Sequence, residues 1–276
     1  MLVLMVVLGA AVLHATWNAM AHGAPDRVAG LALFELAAGI IGLTAVLVMG
    51  LPPDGTWGYI IASAVLHLAY LGGLLASYQL GQFSQMYPLA RGTSPWVVAV
   101  VSIVVLHQAL ALVELAGVLL ISAGLIALVF IGRPGRRQAP ALLAACGTGL
   151  TIASYTVVDG LAVHKMPVLT YMGWVFMLQG FLMPLVVLAW RGPGVLKLPR
   201  SAVLTGLAGG VVSMVAYGLV LWAQTRGTLA AIAALRETSI IFGAIIGTVF
   251  FGERFGPRRA IAAVVVVAGI VLISTA

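Results

Sequence analysis

Two arginines, Arg91 and Arg236, stand inside segments that are otherwise almost wholly apolar. A guanidinium stays charged in any protein setting, and a charged side chain at membrane depth is costly. Such a residue persists where it faces a bundle interior or a wet cavity and meets an anionic partner. Glu237 follows Arg236 directly. Adjacent helical residues diverge by about 100°, so the two can face different neighbouring helices. Glu237 has two readings: a protonatable group beside a cavity, hence a coupling site for H⁺, or half of an ion pair bracing its helix. Arg91 also has a competing reading, snorkelling to the interface, since it lies about 6 Å inside its segment at a rise of ~1.5 Å per residue.

Around Arg91 the run Tyr87-Pro88-Leu89-Ala90-Arg91-Gly92-Thr93-Ser94-Pro95 adds a second feature. Pro95 removes the donor for the Arg91 carbonyl and Gly92 softens the same turn, which predicts a kinked or broken helix with exposed backbone acceptors. A third group is His14, Trp17 and Asn18 beside Thr16, matched by Ser154-Tyr155-Thr156 at an offset of 138. Aromatic and polar groups side by side suit a substrate with apolar and polar parts; hydrogen bonding between helices, worth about 0.6 kcal/mol on average in membranes, explains them equally well. His67, Tyr70, Tyr78 and Gln79 punctuate one further segment, and Tyr217 and Gln224 another. Glu35 is a lone acid in an apolar run and a candidate ion-coupling group. Asp159 precedes Gly160 and is either a coupling carboxylate or an interfacial cap. Gly243-Ala244-Ile245-Ile246-Gly247 reads as close helix packing.

The elements that must hold these residues are membrane helices. Of 276 residues, 62% are hydrophobic and 8% charged, with mean hydropathy +1.16. A soluble surface carries roughly a quarter charged residues, so lipid is the solvent here. The net charge of +7 is then an orientation signal and not a nucleic-acid footprint. The lone Cys146 excludes a disulfide framework and a cysteine metal site within one chain. Residues 1–20 lack a basic leader and read as a span.

Apolar runs of about 20 residues predict an all-α integral membrane protein of about ten transmembrane helices: Leu2–Met20, Val28–Met49, Trp57–Leu80, Tyr87–Leu106, Leu112–Ile131, Ala141–Val158, Val168–Trp190, Ala202–Ala223, Ala230–Phe251 and Ala260–Ile273. Residues 78–128 also resemble residues 223–273 at a constant offset of 145: Gln79 maps to Gln224, Arg91 to Arg236, Thr93 to Thr238, Ser94 to Ser239 and Gly124 to Gly269. Five helices per copy is odd, so the second copy enters from the opposite side, giving two inverted five-helix repeats, 1–132 and 139–276. Inversion predicts Arg91 and Arg236 near opposite mouths of one cavity, binding an anionic group or forming alternating gates.

Walker, His-Glu-x-x-His and nucleophile-elbow motifs are absent from the sequence. That excludes ATP-driven chemistry within this chain and leaves an ion or substrate gradient; no cofactor, metal or catalytic residue is expected. His14-Ala-Thr-Trp-Asn18, Tyr87-Pro-Leu-Ala-Arg91-Gly92, Tyr155-Thr-Val-Val-Asp159-Gly160 and Arg236-Glu-Thr-Ser239 resemble the EamA-type branch of the drug/metabolite transporter superfamily. Gly252-Glu253-Arg254 is similar to the motif closing each EamA unit, where the first copy has His107-Gln108. The resemblance implies ten helices around a central cavity lined mainly by helices 1, 3, 4, 6, 8 and 9. It also implies secondary transport of metabolites, often amino-acid-like, and points to a bacterial inner (plasma) membrane.

The expectation is a secondary transporter of a small polar or amphipathic metabolite, zwitterionic or anionic, working by alternating access as monomer or homodimer, with H⁺ a possible coupling ion. An integral membrane enzyme acting on a lipid-linked substrate is the alternative. Family members are commonly drawn with cytoplasmic termini, but this chain's own charge disagrees. Loops after odd-numbered helices hold ten cations, Arg27, Arg133, Arg136, Arg137, Arg191, Lys197, Arg200, Arg254, Arg258 and Arg259, against Lys165 and Arg226 after even-numbered ones. The positive-inside rule then places both termini outside. A reporter active only in the cytoplasm, fused after Ala276, is expected to stay silent.

Overall fold

The computed structural model describes residues 1–22, 26–80, 83–130, 139–196, 198–251 and 256–276. Those residues form helices α1 (Leu2–His22), α2 (Arg27–Met49), α3 (Trp57–Leu80), α4 (Phe83–Val104), α5 (Leu112–Phe130), α6 (Ala139–Ala162), α7 (Val168–Arg191), α8 (Arg200–Gln224), α9 (Leu229–Arg236), α10 (Ser239–Phe251) and α11 (Pro257–Thr275), with a single 3₁₀ turn at Pro193–Leu196. No strand occurs among the described residues.

Several ends follow from local chemistry. Asp26 caps α2, its Oδ1 accepting from the backbone N–H of Val28 at 3.0 Å and of Ala29 at 3.1 Å. Gly50 closes the same helix at φ 79°, a conformation natural to glycine, and its N–H returns to the Val46 carbonyl. Thr228 caps α9: its Oγ1 accepts from the Ala231 N–H while its hydroxyl donates to Glu114 at the start of α5.

The expected break falls in the other copy of the repeated segment. α4 runs unbroken as helix through Pro88 and Pro95. The ninth span, which has no proline, divides into α9 and α10 at Glu237–Thr238. There the N–H groups of Glu237 and Thr238 reach back three residues, to the carbonyls of Ala234 and Leu235, and Ile240 does the same to Glu237. The Thr238 hydroxyl also donates to the Leu235 carbonyl at 2.8 Å. A hydroxyl competing for helix carbonyls, together with tightening to 3₁₀ geometry, interrupts the α ladder without a proline.

α2 packs on α7, α5 on α11, α3 on α6 and α1 on α8, with α4 between α5 and α6. Glycines permit the closest of these approaches. A Cβ on Gly92 of α4 would stand 2.9 Å from Leu125 of α5, and one on Gly149 of α6 would stand 2.7 Å from the Ala90 carbonyl oxygen. α4 is therefore clamped from both sides beside Arg91, which is how packing holds a helix with two internal prolines. One apolar core, containing Ile60, Tyr171, Met172, Phe176 and Leu221, lies among α2, α3, α7 and α8. A second, containing Ala99, Ile121, Leu125, Ala234 and Val266, joins α4 and α5 to α9 and α11.

The outside is as apolar as the inside. Leu47 (77%), Leu112 (84%) and Phe250 (77%) are among many large hydrophobic side chains left exposed, a surface suited to lipid and not to water. Six described segments are long and apolar enough to cross a membrane, and four shorter apolar stretches accompany them. The chain is an integral membrane protein.

The α2–α7 contact generates a test. A Cβ on Gly180 would lie 2.4 Å from the Glu35 carbonyl oxygen and from the Gly39 Cα, both rigid backbone atoms, whereas one on Gly9 meets nothing within 4 Å. Gly180→Ala is expected to destabilise by about 1–3 kcal/mol through overpacking, and Gly9→Ala to be neutral or stabilising, as read from thermal unfolding of the detergent-purified protein.

Candidate functional site

The polar residues converge on the break between α9 and α10. Arg91 reaches it from α4: its Nε donates to Glu237 Oε2 at 2.7 Å and its Nη2 to Ser239 Oγ at 3.3 Å. Both side chains of the ion pair are 2% exposed. Arg91 does not snorkel, because a carboxylate awaits it inside the bundle. The pair also corrects the expectation of opposite mouths. Glu237 binds Arg91 and is the chain neighbour of Arg236, so the two repeated arginines meet around one acid.

Arg236 turns away from that pair. Its Nη2 donates to the Tyr155 hydroxyl of α6 at 3.3 Å. Its guanidinium carbon lies 6.0 Å from the Tyr155 ring centroid and 5.9 Å from that of Tyr217 on α8. These are cation–π distances. Among the described residues no carboxylate lies within ion-pair distance of Arg236, although it is only 7% exposed. The aromatic cradle extends further. His67 of α3 stacks on Tyr155 at 4.1 Å and 24° and meets Tyr217 edge-on at 5.6 Å. Tyr70 meets Tyr155 at 5.9 Å. The His67 ring is held through Nδ1 at 2.9 Å from the Ser63 carbonyl oxygen.

Asp159 is not an interfacial cap. It is fully buried in α6, which continues past it to Ala162, and it accepts from the hydroxyls of Tyr171 on α7 and Tyr217 on α8. Two hydroxyl donors replace the water the carboxylate gives up, which lets the helix carry it inward. Tyr217 thus links the two charges, its ring beside Arg236 and its hydroxyl on Asp159. Tyr171 escaped the sequence reading. A usable signal existed, since it sits 12 residues beyond Asp159 across the short turn that joins α6 to α7, so the two helices bring them together locally. Gly160 allows α6 to lie on Leu229 at the start of α9, where a Cβ would be 2.4 Å from the Leu229 Cδ2.

The other candidates divide. His14 of α1 lies within electrostatic reach of Arg91 and Arg236. Its neighbours are satisfied within α1: Trp17 Nε1 donates to His14 Nδ1 at 3.2 Å and Asn18 Nδ2 to the His14 carbonyl at 2.7 Å. Gln224 is 1% exposed and its Nε2 reaches the Thr156 carbonyl of α6 at 3.5 Å. Glu35 stands apart on α2, away from the ion pair. The side chains of Tyr78, Gln79 and Tyr87 lie outside the described residues, as do Gly252, Glu253 and Arg254. Among the described residues no group of His, Cys, Asp and Glu is arranged to hold a metal ion. An apolar cleft of about 210 Å³ opens between α2, α7 and the start of α8, lined by Leu33, Phe181 and Val203 among others; it is separate from the arginines.

A comparison with curated proteins finds no match. Among solved structures, one described only as a protein crystal structure superposes with a TM-score of 0.75 over 99% of this chain and 96% of that one, at 17% identity, a likeness that shows the fold alone. Residues 139–275 match the EamA-like transporter family. That stretch runs from α6 to α11 and supplies Tyr155, Asp159, Tyr217, Arg236 and Glu237, and through it the chain belongs to the EamA-like transporter family, membrane transporters of the drug/metabolite superfamily.

Proposed function

We propose that the chain is a secondary transporter of a small anionic or zwitterionic, amino-acid-like metabolite, and that Arg236 binds its acidic group. The observation that carries this reading is a buried guanidinium with aromatic faces around it and no acid against it. A charge held in that way lacks the counter-ion that a low-dielectric interior demands, and a substrate carboxylate supplies it in bidentate geometry. Tyr155, Tyr217, His67 and Tyr70 offer ring surface to the apolar part of the same molecule.

Alternating access between two inverted repeats fits the packing. α3 lies on α6 and α1 on α8, and these partnerships exchange when helices 1–5 are mapped onto helices 6–10. The α9–α10 break then acts as the hinge beside the substrate. The charge bias supports a cell inner membrane with both termini outside.

Thermal-shift measurement against metabolite classes tests the reading. A carboxylate-bearing class is expected to stabilise the protein by about 2.7 kcal/mol at 100 times its Kd, and Arg236→Ala to lose that response and transport while remaining folded. Arg91→Ala is expected instead to cost about 3–5 kcal/mol of stability, because Glu237 is left buried and unpaired. Stabilisation by cations alone, or an undiminished response in Arg236→Ala, would exclude the assignment.

A further inference from the structure

One carboxylate in the bundle is used by nothing described so far. Among the described residues Glu35 of α2 makes no hydrogen bond and no ion pair, and its Oε2 is buried. The other acids at comparable depth are committed, Glu237 to Arg91 and Asp159 to two tyrosines. Glu35 belongs to the inner flank of its helix. It lies one turn before Ala38, which is 3% exposed in the core, and away from Ile40, Leu43 and Leu47, which are exposed to lipid. The residue itself keeps partial exposure, so it is not sealed.

α2 packs against α7, α8 and α1. The titratable and charged side chains on those elements are Tyr171 and Arg191, Arg200 and Tyr217, and His14 and His22. Tyr171 and Tyr217 donate to Asp159. Arg191 binds Asp26 at 2.7 Å at the start of α2. His14 accepts from Trp17, Arg200 begins α8 on the exposed side, and the side chain of His22 lies outside the described residues. None of those described pairs with Glu35.

The helices around Glu35 pack at backbone contact: Gly39, one turn later, touches Gly180 of α7, and a Cβ on Gly180 would stand 2.4 Å from the Glu35 carbonyl oxygen. A single proton on Glu35 removes a charge that nothing among the described residues balances. An ionised carboxylate buried without a partner is far costlier than its neutral acid.

We infer that Glu35 is a proton-binding site that takes up one H⁺ to give the neutral acid and releases it to couple transport to the proton gradient. The coupling half of this inference rests on the transport reading above; the proton site does not. Infrared spectra of the protein in proteoliposomes between pH 5 and 9 test the site. A protonated-carboxyl carbonyl band is expected that Glu35→Gln removes. Flux of a ¹⁴C-labelled L-amino-acid mixture tests the coupling. One proton per cycle lets a ΔpH of about one unit support up to about tenfold accumulation, which Glu35→Gln should lose while retaining exchange without a gradient. No such band in this pH range, or a band untouched by Glu35→Gln, overturns the site. A band lost with ΔpH-driven accumulation intact overturns the coupling. If the wild type moves no amino acid, that substrate class fails and the infrared band still decides the proton site.

Discussion

The buried bond between Arg91 and Glu237 is the constraint from which the polar core is organised. Neither partner can turn outward without carrying a charge into apolar surroundings, so the bond fixes α4 against the α9–α10 junction. Its worth lies in register more than in net stability, because two desolvated ions recover little beyond what they lose. Once Glu237 is committed to α4, the residue before it must point elsewhere. Arg236 accordingly faces α6 and α8, where it finds rings and a hydroxyl but no acid.

The repeat makes that imbalance intelligible. The offset that maps Arg91 onto Arg236 maps Gly92 onto Glu237. In the first copy the position must be small, since α5 presses on it at Leu125. In the second it carries the acid that neutralises the first copy's arginine. One duplicated cation is thereby satisfied and the other left available, so a symmetric sequence yields an asymmetric site. The surrounding frame is tightly built, with glycine contacts between α2 and α7 and on both sides of α4, whereas the junction at Glu237–Thr238 is held by short-range turns. Motion concentrated at that junction would act on both arginines.

Most helix positions were legible because lipid imposes a long apolar run on each one. Trp57–Leu80 was placed to the residue, and α1 extends only to His22 beyond the expected Met20. The repeated arginine was legible as a cation that apolar sequence does not tolerate without a reason. What was not legible depended on partners distant in sequence. Proline rules pointed to a break in α4, but flanking helices hold α4 together, and the break falls where Thr238 takes a backbone carbonyl and Glu237 finds Arg91. Asp159 beside a glycine looks like a helix end until donors from α7 and α8 are known. The sequence offset aligns the two arginines but says nothing of the distance between them. Glu237, partner of Arg91 and chain neighbour of Arg236, is what makes two expected mouths one locus.

Arg91 with Glu237 is neutral as a pair, and Asp159, joined to Arg236 through Tyr217, offsets that cation only at a distance. An anion arriving on Arg236 makes the interior more negative. Negative potential favours the neutral form of an acid in the same low-dielectric space, which on the proposed reading is Glu35. Linkage is reciprocal, so a proton on Glu35 must in turn favour the bound anion. Anion and proton would then load together and leave together. The opposite stoichiometry, a proton exchanged for the anion, would require an acid competing directly for the Arg236 guanidinium, and the nearest carboxylates to it are already engaged by Arg91 and by the two tyrosines.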